Sequence, residues 1–267
     1  LAGFMLIPLC IAWLHQEHVP FWDFSLSFFI TASAGFLCIL LFPLMKEVRW
    51  IHAFFSVSMG WLIFSLFGAF PLYFSSHFVS FVDAWFESMS GFATTGLILI
   101  QDLDHLSLAH NTWRHLTMFI GGQGIILASL SILTTAHSGM VGFYIGEGRQ
   151  EKILPNVVGT ARFIWKVSFI YLVLGAAVFG IILFLKGMPL LKSFYHGVWL
   201  FFAAFDTGGF APQAQNIGYY HSVPLEIATV IFMMLGAFNF NLHFWIWTKS
   251  MGELFKNFEM RTFFFTF

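Results

Sequence analysis

Two short stretches, Ala93-Thr94-Thr95-Gly96 and Asp206-Thr207-Gly208-Gly209, hold the residue types in this sequence best suited to chemistry. A monovalent cation gives up its hydration water only where several oxygens replace it, and backbone carbonyls with a few hydroxyls do so without trapping the ion. Glycine tolerates positive φ, which lets successive carbonyls turn toward one axis, and threonine adds a hydroxyl oxygen. A single Thr/Gly stretch reads as a turn joining two helices. Two in register read as a cation site, and on these grounds a ring of carbonyls serves sodium as well as potassium.

Other residues invite different chemistry. Asp102-Leu103-Asp104 has the form of the acidic pair with which some glycosyltransferases hold a metal-bound sugar nucleotide, so a membrane-embedded glycosyltransferase is the alternative from another class. A solvated acidic loop that gathers cations competes with it. Gly121-Gly122-Gln123-Gly124 has the letters of a phosphate cradle but lies in an apolar span with no strand before it and no Lys-Ser/Thr after it. Close helix packing is the better reading there, and Gly236 plays the same part further on. Asp83 and Glu87 lie one turn apart on a short helix, where Asp83 suits the positive N-terminal end; a structural role is the better reading of the pair, and attraction of cations the alternative. The eleven histidines, including His15, His18, His105, His110 and His115, offer no helical ligand spacing of three or four residues with an open site and read as interfacial side chains. No Ser/His/Asp or Cys/His set converges, which speaks against an enzyme. Cys10 and Cys38 have no paired spacing, and neither a cofactor nor a transition metal is called for.

Composition says where these stretches must sit. Of 267 residues, 58% are hydrophobic and 9% charged, with a mean hydropathy of +0.81. Soluble domains carry about a quarter charged residues, so this chain cannot cover a water-facing surface and belongs in lipid. Twelve Lys and Arg spread along the chain, at net charge -1, make no phosphate-binding face, so nucleic acid is excluded as a partner. A membrane-crossing helix needs about 20 apolar residues. Six runs approach that, at 1–14, 24–45, 53–74, 113–136, 162–185 and 223–247.

Lys46, Arg49, Arg149, Lys152, Arg162, Lys249, Lys256 and Arg261 fall in alternate connections, which marks that side as cytoplasmic. The other side holds Arg114, Lys186 and Lys192 beside Glu17, Asp23, Asp83, Glu87, Asp102 and Asp104. The outer segments 75–112 and 186–222 each open with an apolar stretch too short to span, Phe81 to Ser90 and Phe194 to Ala203. These predict re-entrant half-helices, each delivering one Thr/Gly stretch with its negative C-terminal end toward the site. An internal repeat joins them: a shift of 113 sets Phe92 on Phe205, Thr94 on Thr207 and Gly96 on Gly209, and two more residues set Gly121 on Gly236.

The expected fold is an all-α membrane protein of repeated helix, pore half-helix, filter loop and helix units, as in potassium channels. Residues 1–52 form an added N-terminal helix pair, 53–136 the first repeat, 137–161 a cytoplasmic loop and 162–247 the second repeat. The sequence opens on Leu and closes in the apolar run Thr262 to Phe267, so it reads as an incomplete chain with 248–267 starting a third repeat.

The stretch Asp83-Ala84-Trp85-Phe86-Glu87-Ser88-Met89-Ser90-Gly91-Phe92-Ala93-Thr94-Thr95-Gly96 resembles the first pore loop of the Trk/Ktr/HKT potassium transporters, the Trk branch most of all. Trp113-Arg114, Phe119 to Ile126 and the run Trp61 to Pro71 resemble the same branch. The resemblance covers nearly the whole chain and implies a potassium-translocating subunit, complete with four repeats around one pore. It further implies potassium as the transported ion, a homodimer, and a cytosolic nucleotide-binding regulatory subunit that the 137–161 loop could touch. Channel-like flux and flux coupled to protons or sodium both fit. Two features depart from the family pattern. Asp206 stands where an Asn or Thr is usual and predicts a carboxylate at the filter entrance, and two repeats alone do not close a pore. A non-conducting remnant is the third reading.

Overall fold

The computed structural model describes residues 1–42, 50–124, 157–247 and 262. Every regular element among them is helical: α1 (Ala2–Leu14), α2 (His18–Leu41), α3 (Trp50–Phe74), α4 (Phe81–Phe92), α5 (Leu108–Gln123), α6 (Val157–Leu185), α7 (Leu190–Phe205), α8 (Val223–Ala237) and α9 (Phe240–Trp247), with a 3-10 turn at Asn216–Tyr220. Among the described residues three helices are long and apolar enough to cross a membrane, at His18–Leu41, Phe54–Phe74 and Val158–Leu185. They leave large apolar side chains bare, among them Trp22, Ile39, Phe55, Val173 and Leu185. Outward-facing apolar surface on this scale suits hydrocarbon rather than water.

The half-length helices stay short for local reasons. At α4, Ser80 caps the helix by accepting from Asp83 N, and the Asp83 carboxylate accepts from Ser80 N in return, a capping box that defines its start. At its other end the chain enters the left-handed region at Thr94, which stops the helix after Phe92. α7 begins on Pro189 and ends the same way before Thr207, so it gains Leu190 to Ser193 over the predicted stretch. Each half-helix packs along the longer helix before it, α4 on α3 and α7 on α6. Small residues permit this: a Cβ on Gly197 of α7 would lie 2.7 Å from the Ala176 carbonyl oxygen of α6.

α5 is the central strut, touching α1, α4 and α7. Its first turn is capped twice. Ser107 accepts from His110 N, and Glu17, brought in by the α1–α2 corner, accepts from Leu108 N at 2.9 Å and Ala109 N at 3.1 Å. A carboxylate at the positive end of a helix is doubly favoured, by hydrogen bonding and by the dipole. Around α5 lies a core of Met5, Phe24, Phe92, Trp113, Phe119 and Phe202, all buried.

Besides earlier starts of α3, α5 and α6, at Trp50, Leu108 and Val157, two predicted spans differ from the structure. α2 starts at His18, because the charged residue Asp23 is accommodated within the helix beside His110 at 3.4 Å. The run 223–247 is two helices, broken where Phe238 turns extended (φ -70°, ψ 141°). His243 from α9 reaches back to the Leu235 carbonyl oxygen at 3.0 Å, satisfying an acceptor that the break frees. The parts of the predicted span 113–136 after Gly124, nearly all of the 137–161 loop, and 248–267 apart from Thr262 lie outside the described residues.

Candidate ion-coordination site

The two Thr/Gly stretches repeat each other dihedral by dihedral. Ala93 and Asp206 end their helices at φ -77° and -83°, Thr94 and Thr207 follow at φ 50° and 51°, and Gly96 and Gly209 both stand at φ 77°. Left-handed backbone is costly for a threonine, by about 1–2 kcal/mol, and is kept only where surroundings enforce it. Here the turn hydrogen bonds enforce it: Thr94 N donates to Gly91 O and Thr95 N to Ser90 O, matched by Thr207 N to Ala204 O and Gly208 N to Ala203 O.

The stretches also meet. A Cβ on Gly96 would collide with the Gly208 carbonyl oxygen, so the first stretch lies directly against the second. α5 sets this approach from behind. A Cβ on Gly121 would overlap the Phe92 carbonyl oxygen, one on Gly122 would lie 2.6 Å from Asp206 Oδ1, and Met118 Sδ sits 2.5 Å from where a Cβ on Gly208 would be. In α8, Gly236 faces the Phe205 carbonyl oxygen in the way Gly121 faces that of Phe92. Gly124 ends α5 at φ 87°. Because the obstacles are backbone atoms, Gly121→Ala and Gly236→Ala should each push a half-helix off its strut, at about 1–3 kcal/mol. Melting of the purified protein in detergent measures that loss, and an unchanged midpoint would contradict the close approach.

Asp206 occupies a different place from the open entrance predicted for it. Its side chain is 6% exposed, tucked against Gly122, and Gln123 Nε2 donates to its Oδ1 at 2.7 Å. Gln123 Oε1 in turn accepts from Ser168 Oγ of α6. Only a residue lacking a Cβ at position 122 leaves room for that carboxylate.

Glu87 takes the structural role and not the cation-attracting alternative, for it is fully buried, and so is Arg114, which the charge pattern set on the outer side. Arg114 Nε donates to Glu87 Oε1 at 2.6 Å. Glu87 Oε2 accepts from Leu99 N at 2.7 Å and Ile100 N at 3.0 Å, on the limb leaving the first Thr/Gly stretch. The Arg114 guanidinium lies 4.4 Å over the Phe210 ring and donates through Nη1 to Ala211 O at 3.3 Å, on the limb leaving the second.

The acidic pair separates by role. Asp104 Oδ1 accepts from Ala214 N at 2.9 Å, whereas Asp102 bonds His105 at 2.9 Å on the exposed surface. Among the described residues no three His, Cys, Asp or Glu cluster as a metal site. His105 is exposed as an interfacial residue would be, but His110 and His115 are buried in α5, His115 stacked on Trp199. The hydrogen bond from His105 holds Asp102 below the usual carboxylate range, and Asp102 raises His105 above the usual histidine value. The contact is therefore complete between those two titrations, lost upward as His105 deprotonates and downward as Asp102 protonates. Histidine NMR should show a raised His105 midpoint that Asp102→Asn returns to the ordinary value; a midpoint indifferent to that change would contradict the pairing.

Helices fit for a membrane, with two half-length ones ending on the same left-handed turn against a common strut, define an all-helical membrane protein of internally repeated build. The chain belongs to the TrkH cation transport protein family, whose model matches residues 21–267. It is 31% identical to the Trk system potassium uptake protein TrkG of Escherichia coli K12, over 97% of this chain and 53% of that protein. An uncharacterised cation transporter of Methanocaldococcus jannaschii is 32% identical, over 90% of this chain and 48% of its own length. The crystal structure of the potassium transporter TrkH from Vibrio parahaemolyticus superposes with a TM-score of 0.79 at 28% identity, covering 99% of this chain and 53% of that one. The chain thus spans about half the length of the curated relatives it matches. These relatives are named as transporters and uptake proteins, and nothing in them favours the glycosyltransferase reading.

Proposed function

We propose that this chain supplies two of the four units of a pore for potassium uptake across the cell membrane, in a multi-pass protein. The observation that carries the reading is the direct contact of two dihedrally matched Thr/Gly stretches, Gly96 against Gly208. Backbone carbonyls of Ala93 to Gly96 and Asp206 to Gly209 then stand in for the hydration shell of the ion, aided by the negative C-terminal ends of α4 and α7. With Asp206 packed behind the second stretch, its backbone joins the ring while its carboxylate, hydrogen-bonded to Gln123, does not bind the passing ion. Potassium is the cargo, and the potassium uptake named in the Trk relatives is what favours it over sodium.

A homodimer and a cytosolic nucleotide-binding regulatory subunit belong to the same proposal, the latter docking near 137–161. The transport reading is tested by rubidium uptake in cells lacking their own potassium uptake, using the full-length gene product. Thr95→Val and Gly96→Ser should change ion preference or abolish uptake at matched membrane abundance. Unchanged rubidium flux in both would remove the filter assignment.

A further inference from the structure

The buried ion pair Glu87–Arg114 connects more than two helices. Through Glu87 it holds the backbone N–H groups of Leu99 and Ile100, and through Arg114 it holds the Ala211 carbonyl and covers the Phe210 ring. Both limbs lead directly out of the Thr/Gly stretches, so one charge pair spans the exits of the first and second units. Phe210 also touches the half-helix of the first unit, its Cε2 lying 3.2 Å from where a Cβ on Gly91 would be.

The repeat shows that the packing of half-helix on strut does not require this pair. Shifts of 113 and 115 residues set Leu200 and Thr229 where Glu87 and Arg114 stand. Leu200 is buried without a charge, and Thr229 only bonds back to Leu225 O within α8. The second unit therefore builds the same half-helix and the same left-handed turn with neutral residues at these places. A buried ion pair is also no requirement for stability, because well-packed apolar side chains of like volume commonly serve as well. What the pair adds is direction: the arginine fork and the two carboxylate oxygens fix where both limbs lie relative to each other.

We propose that Glu87 and Arg114 are positioning residues for ion selectivity, an ionic strap that sets the spacing between the first and second filter stretches. The strap rests on the filter reading of those stretches and deepens it. Neither side chain touches the ion, and the pair is neutral as a unit, so its effect falls on discrimination between cations of different radius rather than on their attraction.

The test uses the full-length protein reconstituted in lipid vesicles, with rubidium and sodium fluxes measured in parallel. Two variants are compared with the parent: the double change Glu87→Leu with Arg114→Met, which keeps apolar volume, and Arg114→Lys, which keeps the charge but loses the fork. Both should fold, run as monodisperse protein and still conduct, with the rubidium-to-sodium ratio reduced at least about tenfold. Folded variants with the parent's ratio would overturn the strap, and so would misfolding of both, which would make the pair a folding element instead. Gly96→Ser is run alongside. If it leaves rubidium flux intact, the filter reading itself fails; if it abolishes flux while the strap variants keep their ratio, only the strap fails.

Discussion

Gly96→Ala should abolish cation uptake by the full-length protein, while Gly187→Ala should leave it intact. Both glycines hold positive φ, at 77° and 94°, so an added Cβ strains the backbone at either place. They differ in what the new methyl meets. At Gly187, in the α6–α7 corner, nothing lies within 4 Å, whereas at Gly96 the methyl overlaps the Gly208 carbonyl oxygen. Left-handed strain contributes about 1–2 kcal/mol and overpacking about 1–3 kcal/mol more, which together correspond to a loss on the order of a hundredfold. That backbone oxygen cannot move aside without leaving the ring of carbonyls proposed for the ion. Flux assays at equal expression check the pair, and equal behaviour of the two variants would contradict the contact.

Truncating one member of the buried ion pair should be the most destabilising single change in the described chain. Arg114→Ala leaves the Glu87 carboxylate fully buried with only the Leu99 and Ile100 N–H groups for company. Removing one partner of a buried pair costs about 3–5 kcal/mol, mostly from the charge left behind. Glu87→Ala strands the guanidinium over Phe210 in the same way. The combined change to Leu and Met should be far milder than either truncation, so the two sites are strongly non-additive. Thermal melting in detergent, carried out as a double-mutant cycle, reads this directly. Additive losses would mean that the two side chains do not depend on each other.

Some of this was legible in the residues and some was not. The half-helices were, because an apolar run of about ten residues is too short to span and too apolar for a solvated loop. The start of the first stood at Phe81, where Ser80 and Asp83 cap it, while that of the second moved back to Leu190, after Pro189, and both C-terminal ends moved on to the turns, at Phe92 and Phe205. The left-handed turns follow from glycine and from a register visible as Phe92, Thr94 and Gly96 recurring at Phe205, Thr207 and Gly209. The ion pair was hidden, since Glu87 and Arg114 stand 27 positions apart with an irregular limb between them. Charge counting set both on the outer side of the membrane, because sequence gives the side and not the depth within the protein. Asp206 was misplaced for a related reason. Its carboxylate answers to Gly122 and Gln123, 83 residues before it in the case of Gln123, and no local pattern announces that contact. The break at Phe238 escaped notice because the run stays apolar on average across Asn239 and Asn241, and nothing local shows that His243 will take up a freed carbonyl.

The most direct measurement is anomalous diffraction from crystals of the full-length protein grown in rubidium chloride. Rubidium should appear within coordinating distance of the backbone oxygens of 94–96 and 207–209 together, on one axis between them. Rubidium bound elsewhere, with those oxygens turned away from any shared ion, would contradict the account.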